Sequence, residues 1–205
     1  GVSRLHGEVA RGMWKHLWPG RPQDEIPIDH VTNGVHVPSW VATPKSVLYK
    51  RYLGPDWPTI GDQSKIDELV DKIPDEALWR AQEVTRSALI RTARQRFSQQ
   101  LRYHNASIRE IDHAKTILDR DALTIGFARR FATYKRATLL LHDEQRLKRM
   151  LTDPDRPVQF VLAGKAHPAD DEGKRLIQRI IEFATREDLR HRLVFLSNYN
   201  MRLAR

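Results

Sequence analysis

The sequence predicts an α/β fold built on a parallel sheet, and three observations predict it. Apolar, β-prone runs begin at Leu123 (LTIGF), Val158 (VQFVLA) and Leu193 (LVFL). The first two are each followed by a helical pattern, so successive strands point the same way and are joined by crossovers, which are right-handed in nearly all sheets. The middle run is apolar almost throughout, as strands covered on both faces are. These steps make a partial lobe of three parallel strands with helices, preceded by an N-terminal helical segment. The first strand of such a lobe is expected to carry an unpaired edge that something must cover.

The bulk numbers allow this and decide little else. At 205 residues and 40% hydrophobic content the chain can fill a core. Cysteine is absent, which excludes disulfides and thiolate metal sites and permits a reducing compartment; a cytoplasmic protein is the expectation. No apolar run approaches the roughly 20 residues of a membrane span, so no membrane partner is expected. GVSRLHGEV has no apolar signal region, and the start reads as internal or trimmed. Lysine and arginine number 35 against 26 acids, and the resulting +9 attracts phosphates, nucleic acid and acidic lipid alike.

Three regions follow in order: 1–41, a helix and a connecting segment; 42–121, an irregular excursion and a long helix; and 122–205, the sheet-forming lobe. In the first, Leu5, Val9, Met13 and Leu17 keep a helical rhythm that the breaker Trp18-Pro19-Gly20 ends. Ile26, Ile28 and Val31 suggest a short strand, and Asn33-Gly34 a turn with positive φ. Ala42 to Ser64, rich in Pro, Gly and Asp, reads as an ordered excursion rather than a regular element, with Trp57 as an apolar plug. From Pro74 a helix runs to about Leu101, its apolar row passing from Ala77, Ala81, Val84 and Ala88 to Ile90, Ala93, Phe97 and Leu101. Its other side carries Arg80, Arg86, Arg91, Arg94, Arg96 and Arg102, read as a solvated face that screens neighbouring acids. Asp170, Asp171 and Glu172 open the most regular amphipathic helix, with Leu176, Ile177, Ile180 and Ile181 on one face.

The stretch from Leu123 to Leu141, LTIGFARRFATYKRATLLL, reads strand, loop, helix. Its loop holds Arg129, Arg130, Lys135 and Arg136 with no acid among them, where the first turn of a helix would offer unpaired N–H groups. Phe131 and Tyr134 flank the cations and can pin the loop. A basic loop of this kind is an anion site or plain solvated surface. The later segment Gly164-Lys165-Ala166-His167-Pro168 lacks the G-x-x-x-x-G-K-S/T wording of a nucleotide loop. Lys165 sits at the carboxyl end of a strand, where α/β sheets bind ligands, and reads as structural or as a support to the site.

The wording R-R-F-x-x-Y-K-R resembles the phosphate-gripping loop of the α-glucan (glycogen, starch, maltodextrin) phosphorylases, K/R-R-x-x-x-Y-K-R. Four further segments agree in order. SRLHGEVARGMW is similar to the S-x-L-H-G-E-V helix of the short bacterial type; for His6 and Glu8 a hydrogen-bonding pair or plain helix surface is the ordinary account. HVTNGVHVPSW resembles H-x-T-N-G-(V/I)-x-x-x-x-W, AGKAHP resembles G-G-K-A-x-P with Ala163 for the first glycine, and FLSNYNM resembles F-L-E-(N/D)-Y-x-(M/V) with Ser197 for the acid. His36 and Asn200 depart from the long phosphorylases.

The resemblance implies a partial Rossmann-like lobe of a two-lobe, GT-B-type glycosyltransferase architecture, and the chain looks like an internal fragment of it. It implies phosphorolysis: inorganic phosphate attacks the terminal unit of an α-1,4-glucan and gives glucose 1-phosphate, with the phosphate of pyridoxal phosphate as acid and base. By resemblance Arg130 and Lys135 hold the substrate phosphate and are catalytic, Asn33 binds the glucosyl unit, and Arg129, Trp40 and Tyr199 face the cofactor. The cofactor's lysine belongs to a segment E-A-S-G-T-(G/S)-N-M-K that this sequence does not contain. The isolated chain is therefore expected to lack cofactor and activity, and the full-length protein to be a homodimer with glucan and phosphate as partners and neither metal nor nucleic acid. The other readings are a sugar-nucleotide-dependent glycosyltransferase of the same architecture and a non-enzymatic basic module that binds nucleic acid.

Overall fold

Strands β1 (Leu123–Arg130), β2 (Val158–Lys165) and β3 (Leu193–Leu196) form one parallel sheet in the order β1-β2-β3. The computed structural model describes residues 1–131 and 135–204, with the backbone alone at 138. The α/β fold and its three parallel strands are as the apolar runs imply. In order come α1 (Arg4–Met13), α2 (Thr43–Leu53), α3 (Gln63–Val70), α4 (Asp75–Tyr103), α5 (Ile108–His113), α6 (Glu144–Thr152), α7 (Asp171–Ala184) and α8 (Met201–Ala204). The chain divides into two compact units, Gly1–Trp40 and Val41–Arg205.

Side chains alternate across a strand, and in a parallel ladder paired residues share a face. Register pairs Ile125 with Phe160, Phe127 with Leu162 and Arg129 with Gly164 on one face, and Gly126 with Val161, Ala128 with Ala163 and Arg130 with Lys165 on the other. The first face packs under α6 and α7, where Phe160, Leu162 and Phe195 meet Leu147, Ile180 and Phe183. The second is covered by α4, with Val161, Val194 and Leu196 against Ile90 and Ala93. Helix, sheet and helix thus form three layers, which is why β2 and β3 are apolar on both sides. β1 differs. Like β3 it is bonded only to β2 among the described residues, but its Leu123 and Ile125 stand exposed beside the open edge, whereas β3 is buried throughout.

Polar groups fix the layers' register. Gln100 on α4 donates to the Phe195 carbonyl (3.3 Å) and accepts from the Ser197 N–H (2.9 Å). Gln159, fully buried in β2, accepts from the Asp119 N–H and donates to the Asp119 carbonyl and the Thr124 hydroxyl, each at 2.7 Å. Gln159→Leu should cost about 2 kcal/mol in chemical denaturation, because it leaves those partners unpaired. An unchanged midpoint would show that the network contributes nothing net.

Several elements differ from the sequence reading. Residues 43–53 form α2 rather than an irregular excursion: Pro44 occupies its first turn, where the missing N–H is harmless, and Gly54 (φ 95°) ends it. No strand forms at 26–31; there the chain runs alongside α1, with Arg11 donating to the Ile28 carbonyl and Val31 N–H to the Gly1 carbonyl. Neither Asn33 nor Gly34 has positive φ. His6 and Glu8 do not pair: His6 Nδ1 accepts from the Val2 N–H, and Glu8 lies 3.9 Å from Arg4.

On α5, His113 stacks edge-on against His191 at 4.3 Å, and its Nε2 is buried without a partner among the described residues. Burial, reinforced by His191, Arg190 and Arg109, holds the His113 imidazole below the usual histidine range. The folded state therefore prefers the neutral ring, and the unfolded chain takes up the proton first. Stability from this group is full above about pH 6.5 and is lost as pH falls through that value toward the lower folded pKa. His113→Phe is expected to flatten this limb of urea midpoint against pH; an unaltered slope would assign it elsewhere.

Candidate functional site

The cations gather at the carboxyl edge of the sheet because β1 runs on through them. Arg129 and Arg130 are the last two residues of the strand, not part of a loop as their charge suggested, so they project from opposite faces. Both are exposed, and neither has an acidic partner among the described residues. Charge is tolerated here because the layers end: β2 likewise turns from six buried residues to exposed Lys165 at the same level. The ladder pairs Arg130 with Lys165, adding a cation that the sequence alone left undecided, and Phe131 N–H extends it by bonding the Lys165 carbonyl at 2.9 Å.

Phe131 fastens this edge. It is fully buried and meets Phe127 and Phe195 edge-to-face, each at 5.7 Å. Gly164 lies directly beneath its ring: a Cβ there would overlap the ring and the Arg129 carbonyl oxygen. Gly173, in the first turn of α7, is also tight, since a Cβ would come within 2.7 Å of the Phe131 carbonyl oxygen. Small residues at two positions thus let the backbone of the cationic segment sink between β2 and α7.

Tyr134, with Ala132 and Thr133, lies outside the described residues. Lys135 is half-buried, and Arg136 follows in the left-handed region (φ 53°) and caps a 3-10 helix, Ala137–Leu141. The expected α-helix does not start here. A separate α6 begins after Asp143, whose carboxylate accepts from the Arg146 N–H at 2.8 Å. Ala137, Leu140, Leu147 and Met150, whose spacing in the sequence reads as one helical face, therefore lie on two separate elements, and Met150 is exposed. The α-helix amino terminus that meets the cationic segment is that of α7.

Tyr199 follows β3 at the same carboxyl edge, behind Asn198 (φ 57°), and packs its ring against the cluster containing Ile90 and Val194. Asn33 and Trp40 belong to the first unit. There Asn33 N–H bonds the Val2 carbonyl at 3.1 Å, and the half-exposed Trp40 closes a 3-10 turn on the Val37 carbonyl. His36 Nδ1 is 2.7 Å from the Ser39 hydroxyl. Among the described residues no cluster of histidines and carboxylates could hold a metal ion. Arg129 on one face, and Arg130 with Lys165 on the other, have no acidic partner among the described residues and suit oxyanions: guanidinium groups stay charged and fork onto phosphate oxygens.

No family model matches the chain. Curated proteins do. It is 43% identical over 205 residues to a glycogen phosphorylase of Mycobacterium tuberculosis, covering 100% of this chain and 23% of that protein. It is 39% identical over 204 residues to a maltodextrin phosphorylase of Thermococcus litoralis, covering 100% and 24%. To a glycogen phosphorylase of Aquifex aeolicus it is 41% identical over 203 residues, covering 99% and 29%. The chain spans about a quarter of the length of these relatives.

Proposed function

We propose that this chain, a homologue of the glycogen and maltodextrin phosphorylases along its whole length, contributes the phosphate-holding edge of an α-1,4-glucan phosphorylase. The observation that carries the reading is the acid-free row of cations at the carboxyl edge of the parallel sheet, seated by Phe131 and Gly164. In the reaction, inorganic phosphate displaces the terminal glucosyl unit of a glucan and leaves as part of glucose 1-phosphate.

Two phosphates in contact repel, by about 4 kcal/mol per pair of unit charges at 4 Å and an effective dielectric constant of 20. Fixed guanidinium groups offset this without deprotonating. Arg130 and Lys135 take the substrate phosphate and Arg129 the cofactor phosphate. The alternation of Arg129 and Arg130 across β1 supports the division, because it keeps the two guanidinium groups on different oxyanions. Asn33 holds the glucosyl unit, and Trp40 and Tyr199 bound the cofactor. Exposed arginine with no carboxylate partner fits the phosphate of pyridoxal phosphate, which when bound supplies the acid and base for the reacting phosphate. The resemblance also carries a homodimer acting in the cytoplasm.

The test is release of glucose 1-phosphate by the intact protein from maltodextrin and inorganic phosphate. Glucosyl transfer only from a nucleotide sugar, with none to phosphate, would replace the reading with a sugar-nucleotide glycosyltransferase.

A further inference from the structure

The arginines of α4 do more than face solvent. Between Glu83 and its end at Tyr103 the helix has no acidic residue, whereas its first turns pair Arg80 with Glu76. Arg91, Gln95, Ser98 and Arg102, spaced by four, three and four, share one side. They line a cleft of about 430 Å³ whose opposite wall, the connection between α5 and β1, adds Lys115 and Arg120. No carboxylate is among the described lining residues.

Helix-end electrostatics favour a cation in the last turn, which accounts for Arg102 but not for Arg91. Nor is the opposite wall loose. Arg94 reaches across to donate to the carbonyls of Ile117 and Leu118, each at 2.7 Å. Leu118 is buried at φ 62°, with its N–H bonded to the His191 carbonyl at 2.8 Å. Gln159 clamps Asp119 from below. Lys115 is paired with Asp112 at 2.6 Å, while Arg91, Arg102 and Arg120 have no side-chain partner among the described residues. An independent observation points into the same space. Ser98 is more than nine-tenths buried, lines the cleft, and its hydroxyl has no hydrogen-bond partner among the described residues.

We propose that this cleft is a binding site for a small phosphorylated ligand carrying two or more negative charges, formed by Arg91, Arg102 and Arg120 with Ser98 at its floor. A compact ligand fits better than nucleic acid. The lining has no aromatic side chain on which a base could stack, and the volume is that of a small-molecule pocket. None of its residues belongs to the sheet's carboxyl edge, so its occupancy and phosphorolysis can be measured separately.

Calorimetric titration of the intact protein with inorganic pyrophosphate tests this, in an Arg129→Ala, Arg130→Ala, Lys135→Ala background that removes the phosphate ligands proposed for the sheet edge. Arg91→Ser with Arg102→Ser is expected to weaken the remaining binding at least tenfold, and Ser98→Val severalfold. The arginines are exposed, so the melting temperature without ligand should stay put. Pyrophosphate binding unchanged in the double variant overturns the proposal. So does a short DNA duplex that competes better than pyrophosphate at equal phosphate concentration with a steep loss in salt, which would make the cleft a segment of a nucleic-acid surface.

Discussion

Arg130→Ala in the intact protein is expected to lower phosphorolysis by about a thousandfold, the order seen when one fixed donor to a developing oxyanion is removed. The fold should not notice. The side chain is exposed and touches no acid, and only its backbone enters the ladder with Lys165. Such a change is worth about 0.5 kcal/mol or less. Arg130→Lys should recover some of the rate, since it keeps the charge but loses the planar fork. Wild-type turnover by the alanine variant would remove Arg130 from the site, whereas a folded variant that merely binds phosphate more weakly would confine its contribution to affinity.

The second large effect comes from one methyl group. Gly164→Ala would drive a Cβ into the Phe131 ring and the Arg129 carbonyl oxygen, and neither can yield easily: the ring is held by Phe127 and Phe195, and the carbonyl belongs to the ladder. Overpacking of this kind costs about 3 kcal/mol. It should appear as a large drop in the denaturation midpoint, together with loss of phosphorolysis, because relief of the clash must move Arg129 and Arg130. Ala163, one residue earlier, already has its methyl among Val161 and Leu196 on the α4 side, so the intolerance belongs to one face of β2. A variant that melts like wild type would mean that the segment after β1 has room to move.

The strands were legible because burial on both faces demands uninterrupted apolar runs, and α4 and α7 because their apolar rows are long. α2 was hidden by its own chemistry. Its proline and flanking glycine are also the marks of a loop, although Leu48, Tyr49, Tyr52 and Leu53 share the face that packs with Ile73 and Ala81. The end of β1 was misplaced for a related reason: arginines argue against a buried strand until one knows where the covering layers stop. Ile26 and Ile28 alternate as a strand would, yet the chain there runs along a helix surface, and period alone does not distinguish the two. At the site, the cations could be read from residue type, while Lys165's partnership with Arg130 depends on register, which no local pattern encodes.

Helix α4 serves two clusters at once: Ala81 packs with Leu48 and Ile73 beside α2, and nine residues later Ile90 lies under the sheet. Each residue added to a helix turns everything beyond it by about 100°. An insertion between Ala81 and Ile90 would swing one cluster's contacts out to water, whereas the links on either side of α3 could lengthen freely. The span between those two residues is therefore a fixed phase, and variation in chain length among homologues should avoid it.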